Sequence, residues 1–208
     1  MRENKKKDIY LIGAGGHAKV ILSLLEERGE KCLGIYDDAE RLWNTSLWGI
    51  PIIGPVRELP DREEFTAVIA VGGNEARRRI SRAFKNICWA ALIHPHSWVH
   101  SSVVVGEGTV VFAGAVIQPD TVIGAHTIIN TSVSVDHDCR VGDFCHLAPG
   151  CRIAGGVKMG NNVFCGIGAS VTQYLSISDD IVIGAGAAVT KDLTLPGTYV
   201  GLPAKRHA

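Results

Sequence analysis

Histidine, carboxylate and thiol side chains are concentrated in one short stretch of the chain, DHDCRVGDFCHLAPGC at residues 136–151. His137 and His146 lie there among aspartates and three cysteines. Imidazole beside carboxylate can serve as a general base with an orienting partner, whereas imidazole with thiolate can bind zinc. The elements that carry these residues must decide between the two chemistries.

Those elements follow a hexapeptide repeat. Small residues are frequent four places after the apolar position of a repeat, and glycine often follows that position directly. One large and one small inward position per hexapeptide predict a parallel β-helix in which three hexapeptides form a triangular coil, with about five coils between its first and last repeats. The hand of the helix stays open at this point. The apolar positions recur without a break: Val99, Val105, Val111, Ile117, Ile123, Ile129, Val135, Val141, Leu147, Ile153, Met159, Cys165, Val171, Ile177, Ile183 and Val189.

The repeat assigns the cysteines of this stretch to the interior. Cys139, Cys145 and Cys151 fall on the small inward position, which predicts buried thiols in the core rather than zinc ligands. His137 and His146 lie off both inward positions and should face outward or lie at corners. Because one coil is three hexapeptides, His137 should also neighbour Gly155, which occupies the equivalent position of the next coil.

The N-terminal part of the chain has a different pattern, in which strands alternate with helices. A strand from Ile9, a glycine-rich turn and a helix lead to a second strand that ends at Asp37 and Asp38. A second strand, turn and helix follow over residues 67–84, a further strand is expected over 88–92, and the segment around Trp43 and Trp48 is expected to be a loop. This alternation predicts a small Rossmann-like parallel α/β domain over residues 1–92, followed by the solenoid domain over 93–208.

The first turn, GAGGHA at residues 13–18, matches a phosphate-binding pattern. Glycines let a phosphate approach the backbone, and the N-terminus of the next helix offers N–H groups to it. The α/β part is long enough for little more than one mononucleotide-binding half, so the turn favours a single nucleotide diphosphate over NAD. A tight turn that binds nothing stays an alternative.

Composition bears on partners and compartment. Lys plus Arg and Asp plus Glu number 21 each, which gives no electrostatic case for nucleic acid or an anionic membrane. The short basic run near residue 5 is not followed by a long apolar segment and no stretch of about 18 apolar residues occurs, so we expect neither a signal peptide nor a membrane-spanning helix. We therefore expect a cytoplasmic protein with reduced cysteines and no membrane partner.

An ordered set of motifs carries a resemblance to a known family. The GAGGHAKV turn precedes the hexapeptide solenoid, Asn130 and Thr131 precede His137 and Asp138, and VGLPAK closes the chain at 200–205. Over nearly its whole length the chain resembles the bacterial sugar acetyltransferases with a left-handed β-helix. These include the UDP-4-amino-sugar and perosamine N-acetyltransferases and the sialic acid O-acetyltransferases.

The resemblance implies an acyltransferase of polysaccharide biosynthesis. Its co-substrate would be acetyl-CoA, bound at the interfaces of a homotrimer, and no metal is expected. The acceptor would be the amino group of a nucleotide-linked 4-amino-6-deoxy sugar, bound between the N-terminal domain and the coenzyme groove. The alternative acceptor is a hydroxyl of sialic acid or another sugar.

The resemblance also implies roles for individual residues. His137 matches the general base and Asp138 the acid beside it. Lys205 is the last residue of the VGLPAK motif, and its charge suits either a coenzyme phosphate or an ordinary solvated tail. Residues matching coenzyme contacts are His146, Gly155, Ile167 and Ala185, and those matching nucleotide contacts are Gly15, Gly16, His17, Asp37, Asp38, Gly73, Asn74 and Arg77.

The chemistry requires few groups. His137 would take the proton of the amine, and the N–H of Gly155 would face the thioester carbonyl as negative charge develops there. The amine would attack acetyl-CoA directly, because buried cysteines are poor nucleophiles. Asp136 or Asp138 would orient the imidazole. A hexapeptide metalloenzyme and a non-catalytic nucleotide-sugar-binding protein are the alternative classes of protein that fit this pattern.

Overall fold

A computed structural model describes residues 8–207 of the chain. The chain forms two compact units, and the boundary falls between Leu92 and Ile93. The first unit is an α/β sheet structure and the second is a parallel β-solenoid.

The first unit is built on a six-stranded sheet with the order β3-β4-β2-β1-β5-β6. Neighbouring strands are parallel except for the β3–β4 hairpin. Its elements are β1 Ile9–Ile12, α1 Gly16–Glu27, β2 Cys32–Tyr36, β3 Ser46–Leu47, β4 Ile50–Gly54, β5 Thr66–Ile69, α2 Asn74–Ala83 and β6 Cys88–Trp89, with 3₁₀ turns at Glu40–Leu42 and Val56–Glu58.

Local sequence explains these elements. Helix α1 buries Ile21, Leu24 and Leu25 on one face, whereas Val20 stays exposed. The helix ends before Gly29, whose φ of 62° is left-handed, and the N–H of Glu30 closes the turn on the carbonyl of Leu25 at 2.9 Å. The predicted α/β alternation is confirmed.

The structure of this unit differs from the sequence prediction in two details. The strand predicted over 88–92 is two separate strands, and the segment predicted as a loop around Trp43 and Trp48 contains the β3–β4 hairpin. Trp48 and Gly49 connect that hairpin with φ values of 52° and 81°. A two-residue hairpin loop of this kind needs two left-handed residues, which Trp at the first position does not signal.

The topology fixes where a ligand site can form in the first unit. Strands β2 and β5 lie on opposite sides of β1, so the direction of chain progression reverses there. The turns after β1 and β5 therefore leave the sheet at the same edge. Parallel α/β sheets bind ligands at such a reversal, outside the carboxyl ends of the strands.

The solenoid has three faces formed by parallel strands that pair from one coil to the next, except that the last strand of the third face pairs antiparallel with its neighbour. It is a left-handed β-helix of hexapeptide repeats. Face 1 comprises β8 Trp98–Val99, β11 Val116–Ile117, β14 Ser134–Val135, β17 Arg152–Ile153, β20 Ser170–Val171 and β23 Ala188–Val189. Face 2 comprises β9 Val104–Val105, β12 Val122–Ile123, β15 Arg140–Val141, β18 Lys158–Met159 and β21 Ser176–Ile177. Face 3 comprises β7 Leu92–Ile93, β10 Val110–Val111, β13 Ile128–Ile129, β16 His146–Leu147, β19 Phe164–Cys165, β22 Ile181–Ile183, β24 Gly197–Val200 and β25 Lys205–Arg206.

The inward positions form the core as the repeat predicts. From Val111 to Val189 the apolar residue of every hexapeptide is buried, and only the first two apolar positions, Val99 and Val105, are partly open. The small positions add hydrogen bonds across the coil. The hydroxyl of Thr127 donates to the carbonyl of Gly142 at 2.9 Å, and the thiol of Cys145 donates to that of Gly160 at 3.1 Å.

The corners share one backbone device. From Gly108 to Gly186 the second residue of each two-residue turn has positive φ, whether or not it is glycine. The turns follow one another every six residues, so that every third turn lies on the same one of three edges. Edge 1 carries the turns at 137–138, 155–156 and 173–174, and edge 2 those at 131–132, 149–150, 167–168 and 185–186. The positive-φ residues are Gly108, Gly114, Asp120, His126, Ser132, Asp138, Phe144, Gly150, Gly156, Asn162, Gly168, Tyr174, Asp180 and Gly186.

Candidate active site

The turn at 137–138 on edge 1 brings an imidazole and a carboxylate together. Nδ1 of His137 lies 2.7 Å from Oδ2 of Asp138, and the backbone N–H of His137 donates to Oδ1 of Asp136 at 2.8 Å. Adjacent side chains of a strand point to opposite faces, but the φ of 58° at Asp138 turns its carboxylate back to its neighbour. Asp138 therefore contacts the ring, and Asp136 holds the backbone.

The surrounding charges favour a basic imidazole. The hydrogen bond to Asp138 raises the pKa of His137 above its usual range, and the negative charges of Asp136 and Asp138 act in the same direction. The ring is half-exposed, so Nε2 can meet a substrate while Nδ1 is engaged. A histidine oriented in this way can accept a proton at Nε2.

Gly155 lies under this ring, as the stacking of successive coils predicts. A β-carbon at Gly155 would stand 2.7 Å from both Cε1 and Nε2 of His137, so any larger residue would displace the imidazole. The N–H of Gly156 donates to the carbonyl of His137 at 2.9 Å and fixes the two turns in register. On edge 1 a candidate base, His137, thus lies next to backbone that carries no side chain, at Gly155 and Gly156.

The remaining predicted coenzyme contacts lie elsewhere on the solenoid. His146 faces outward from β16, with its Nε2 3.1 Å from Nδ2 of Asn130 and its ring 5.3 Å from that of Phe164. Ile167 and Ala185 are the stacked, exposed first residues of two turns on edge 2. The contact between Asn130 and His146 was not predicted from the sequence, although the two residues are separated by nearly one full coil, which is a signal for such a contact.

Within one chain, these residues form two groups. His137 and Gly155 lie on edge 1, whereas Ile167 and Ala185 lie on edge 2, and face 1 runs between the edges. A groove of about 390 Å³ follows face 1, with Asp136, Arg152 and Thr172 among its lining residues. Lys205 is exposed on β25 of face 3.

In the first unit, the glycine-rich turn follows β1 at the reversal point. A β-carbon at Gly15 or Gly16 would meet no atom within 4 Å, so the packing of the unit does not itself require glycine there. Open space beside a helix N-terminus suits a phosphate. His17 is the second residue of that helix, α1.

The two aspartates after β2 are engaged with the backbone. Oδ2 of Asp37 accepts the N–H of Ala14 at 2.7 Å, and Oδ1 accepts that of Ala39 at 2.8 Å. Oδ1 of Asp38 accepts the N–H of Val56 at 2.9 Å. Asp37 thus ties the end of β2 to the glycine-rich turn, which is not apparent from the sequence.

The side chain of Arg77 stabilises the turn after β5 through hydrogen bonds. Its guanidinium is buried, with 1% of the residue exposed. Nη1 donates to the carbonyl of Gly72 at 2.8 Å, and Nη2 donates to Oδ1 of Asn74 at 2.9 Å. Gly73 between them is exposed. Arg77 therefore makes its hydrogen bonds within the protein. Its contact with a nucleotide remains a prediction from the sequence.

The solenoid cysteines are confirmed as core residues. Cys139, Cys145, Cys151 and Cys165 are fully buried free thiols. Burial raises the pKa of Cys151 to about 11 and that of Cys165 well above its usual range. Thiols in this state are poor nucleophiles.

Metal-binding and membrane-spanning features are both missing from residues 8–207. Over this range, no group of three or more His, Cys, Asp or Glu side chains is arranged to hold a metal ion, and no helix is long and apolar enough to cross a membrane.

Comparisons with known proteins agree with both units. Residues 8–84 match the model of the PglD N-terminal domain, and residues 120–155 match the bacterial transferase hexapeptide family with six repeats. A histidine-to-asparagine mutant of perosamine N-acetyltransferase from Caulobacter crescentus, solved with CoA and GDP-perosamine, is 36% identical, covers 97% of each chain and superimposes with a TM-score of 0.89.

The chain belongs to this family of sugar acetyltransferases. The acetyltransferase domain of PglB from Neisseria gonorrhoeae is a second member, 34% identical over 97% of this chain and 100% of that one, with a TM-score of 0.88. It has also been solved with acetyl coenzyme A. The predicted family is confirmed.

Two curated relatives match over shorter stretches. UDP-N-acetylbacillosamine N-acetyltransferase of Bacillus subtilis is 34% identical over 111 residues, which are 50% of each protein. An uncharacterised protein of Acanthamoeba polyphaga mimivirus is 35% identical over 100 residues, 48% of this chain and 20% of its own length. The chain thus aligns with half or less of each curated relative.

Proposed function

We propose that this sugar acetyltransferase family member transfers the acetyl group of acetyl-CoA to the amino group of a nucleotide-linked 4-amino-6-deoxy sugar. The observation that carries the proposal is the His137–Asp138 turn stacked on Gly155. An oriented base beside a bare backbone is the arrangement that acyl transfer to an amine requires. In support, the Caulobacter crescentus relative was solved with CoA and GDP-perosamine, and the Bacillus subtilis relative is named a UDP-N-acetylbacillosamine N-acetyltransferase.

The reaction needs one base and one donor. The amine nitrogen forms a bond to the thioester carbonyl carbon while Nε2 of His137 accepts the proton that the amine loses. The N–H of Gly155 donates to the carbonyl oxygen as it becomes negative. The carbon–sulfur bond then breaks, and the proton passes from His137 to the sulfur of coenzyme A. The products are an N-acetyl sugar and free coenzyme A, with no acyl-enzyme.

The remaining predicted residues are proposed to bind the two substrates. Gly15, Gly16 and His17 would meet the diphosphate at the N-terminus of α1, and Gly73 and Asn74 would close the site from the other turn. Asp37 and Asp38 would face the nucleoside. His146, Ile167, Ala185 and Lys205 would contact acetyl-CoA.

The division of the coenzyme residues between two edges supports a trimer. His137 and Gly155 on edge 1 and Ile167 and Ala185 on edge 2 are separated by face 1 within one chain. If adjacent prisms meet around a threefold axis, edge 1 of one copy can face edge 2 of the next, and a single coenzyme can contact both sets. We propose this homotrimer, in the cytoplasm, as the active form.

The test is a coupled assay that detects the free thiol of released coenzyme A. Acceptors are UDP-, dTDP- and GDP-linked 4-amino-6-deoxy sugars and free sialic acid. Wild type should turn over one of the amino sugars, and His137→Ala should lose about a hundredfold or more of that rate. Lys158→Ala, which removes an exposed side chain from face 2, is the control and should be unaffected.

Turnover with sialic acid alone would replace the proposal with O-acetyl transfer. Absence of thiol release with every acceptor, or full activity in His137→Ala, would contradict the proposed function.

A further inference from the structure

Face 1 carries one cation and one anion that are not paired with each other. Of the twelve residues that line its groove, Arg152 and Asp136 are the two with charged side chains. Arg152 is exposed and Asp136 is half-buried, and neither has an ion-pair partner among residues 8–207. The strands of face 2, by contrast, present two cations, Arg140 and Lys158. Face 1 thus offers opposite charges to a partner outside the chain.

The guanidinium of Arg152 is held at edge 2. Its Nη1 donates to the carbonyl groups of Ser132, Gly150 and Cys151. Ser132 and Gly150 are the second residues of successive turns on edge 2, so the guanidinium lies beside both turns. These hydrogen bonds use Nη1, and the guanidinium carries further donors on Nη2 and Nε. The side chain is therefore fixed in place and still has donors for another acceptor.

Asp136 lies on the opposite side of face 1, directly before the turn on edge 1. Its Oδ1 accepts the backbone N–H of His137, which leaves Oδ2 for a further donor. The stretch of chain that leads to Asp136 leaves edge 2 at the turn 131–132, and Arg152 contacts the carbonyl of Ser132 in that turn. The two charged groups therefore lie at a similar height along the prism, one at each edge of face 1.

A trimer in which edge 1 of one copy faces edge 2 of the next brings these groups together. Rotation about an axis parallel to the prisms keeps every coil at the same height, and the contact between copies joins two different surfaces. Each contact then joins the cation of one copy to the anion of the next. Ile167 and Ala185, the coenzyme residues on edge 2, belong to the two following coils, so the charge pair lies to one side of the coenzyme.

We propose that Arg152 of one copy pairs with Asp136 of the next copy, so that a residue of the neighbouring subunit positions the candidate base. This inference rests on the proposed function, whose trimer it uses. Asp136 holds the backbone of His137, and the planar guanidinium, which suits a carboxylate, holds Asp136. Arg152 is therefore a positioning residue, and the site is complete only in the assembly.

The test is a double-mutant cycle measured by sedimentation velocity over a series of protein concentrations. Arg152→Gln and Asp136→Asn should each raise the concentration at which half of the chains are assembled by about tenfold or more. The double variant should assemble no more weakly than either single variant, because each change removes the same contact. Arg140→Gln, which replaces an exposed arginine at the matching strand position of face 2, is the control and should assemble as wild type does.

Acetyl transfer at several enzyme concentrations provides a second measurement. The specific activity of Arg152→Gln should fall on dilution together with the trimer and recover at high enzyme concentration. If Arg152 only capped the carbonyl groups of its own turns, the specific activity of the variant would not depend on enzyme concentration.

Three outcomes would overturn the inference. They are a wild type that stays monomeric at every concentration, unchanged assembly in both single variants, and additive effects in the double variant. If Arg152→Gln does not fold, Arg152→Met takes its place with the same expected weakening. A wild type that forms the trimer and shows the coupling but transfers no acetyl group would refute the proposed function and leave the pairing in place, because sedimentation does not require turnover.

Discussion

His137 and Asp138 are neighbours in sequence, and their side chains lie on the same side of the backbone, with Nδ1 and Oδ2 2.7 Å apart. The left-handed backbone at Asp138 produces this contact, and the solenoid repeats the same conformation at its corners from Gly108 to Gly186. The pairing of the base with its carboxylate is therefore a property of the turn.

Asp138→Asn should lower the pKa of His137, because the hydrogen bond to the carboxylate is the main cause that raises it. The base acts when unprotonated, so the acid limb of kcat/KM should move to lower pH. The maximal rate should fall by about tenfold or more, because the imidazolium loses its stabilising charge. A pH–rate profile measures both effects.

Asp136→Asn is the matched control for that profile. The carboxylate of Asp136 accepts the backbone N–H of His137 and acts on the ring only through its charge, so the shift should be smaller and in the same direction. A limb that moves to higher pH in Asp138→Asn would contradict the assigned contact.

Gly155→Ala should displace the imidazole, because the new methyl group would lie 2.7 Å from Cε1 and Nε2 of His137. We expect kcat to fall about a hundredfold as base and N–H donor lose their geometry. The measurement is single-turnover acetyl transfer with wild type and variant. The double variant with His137→Ala serves as control: it should relieve the clash, so its unfolding midpoint should exceed that of Gly155→Ala alone.

The solenoid thiols should be inert in the folded protein. Burial raises the pKa of Cys151 to about 11, so a thiol reagent at neutral pH should label Cys32 and Cys88 first and the core cysteines only on unfolding. The readout is mass spectrometry of labelled peptides. Cys139→Ala and Cys145→Ala should keep acetyl transfer within a few-fold of wild type, and a complete loss in a folded variant would contradict direct attack.

Arg77→Lys should weaken the turn after β5, because the single ammonium nitrogen of lysine cannot occupy the places of both Nη1, which donates to Gly72, and Nη2, which donates to Asn74. We expect the free energy of unfolding to fall by about 2 kcal/mol, the range for lost hydrogen bonds of a buried charged group. The KM for the nucleotide sugar should rise while kcat stays constant. Urea unfolding and steady-state kinetics provide the two measurements. Arg79→Lys, on the exposed side of α2, should change neither quantity.

Much of the fold follows from sequence because each hexapeptide buries the same two positions. An apolar residue at the same place in every hexapeptide fixes strand register, face and coil over the whole solenoid, and the inward burial of Cys139, Cys145 and Cys151 follows from the same count. The β1–turn–α1 unit can likewise be predicted from local sequence, since the helical spacing of apolar residues and the glycine at position 29 mark the course and the end of α1. The contact between His137 and Gly155 can be predicted from the number of residues in one coil alone.

Other features depend on contacts or backbone angles that no local pattern encodes. The turn of Asp138 towards His137 requires positive φ at a residue type that also occurs in strands and helices. The burial of Arg77 and the tie from Asp37 to Ala14 arise where β1, β2 and β5 converge, and the β3–β4 hairpin relies on an exposed tryptophan with a left-handed backbone. The sequence by itself determined the hexapeptide repeat, the residues of the solenoid core and the proximity of His137 to Gly155. Only the tertiary structure decided which carboxylate meets the imidazole, which arginine is internal and which residues share an edge, because these depend on where distant segments meet.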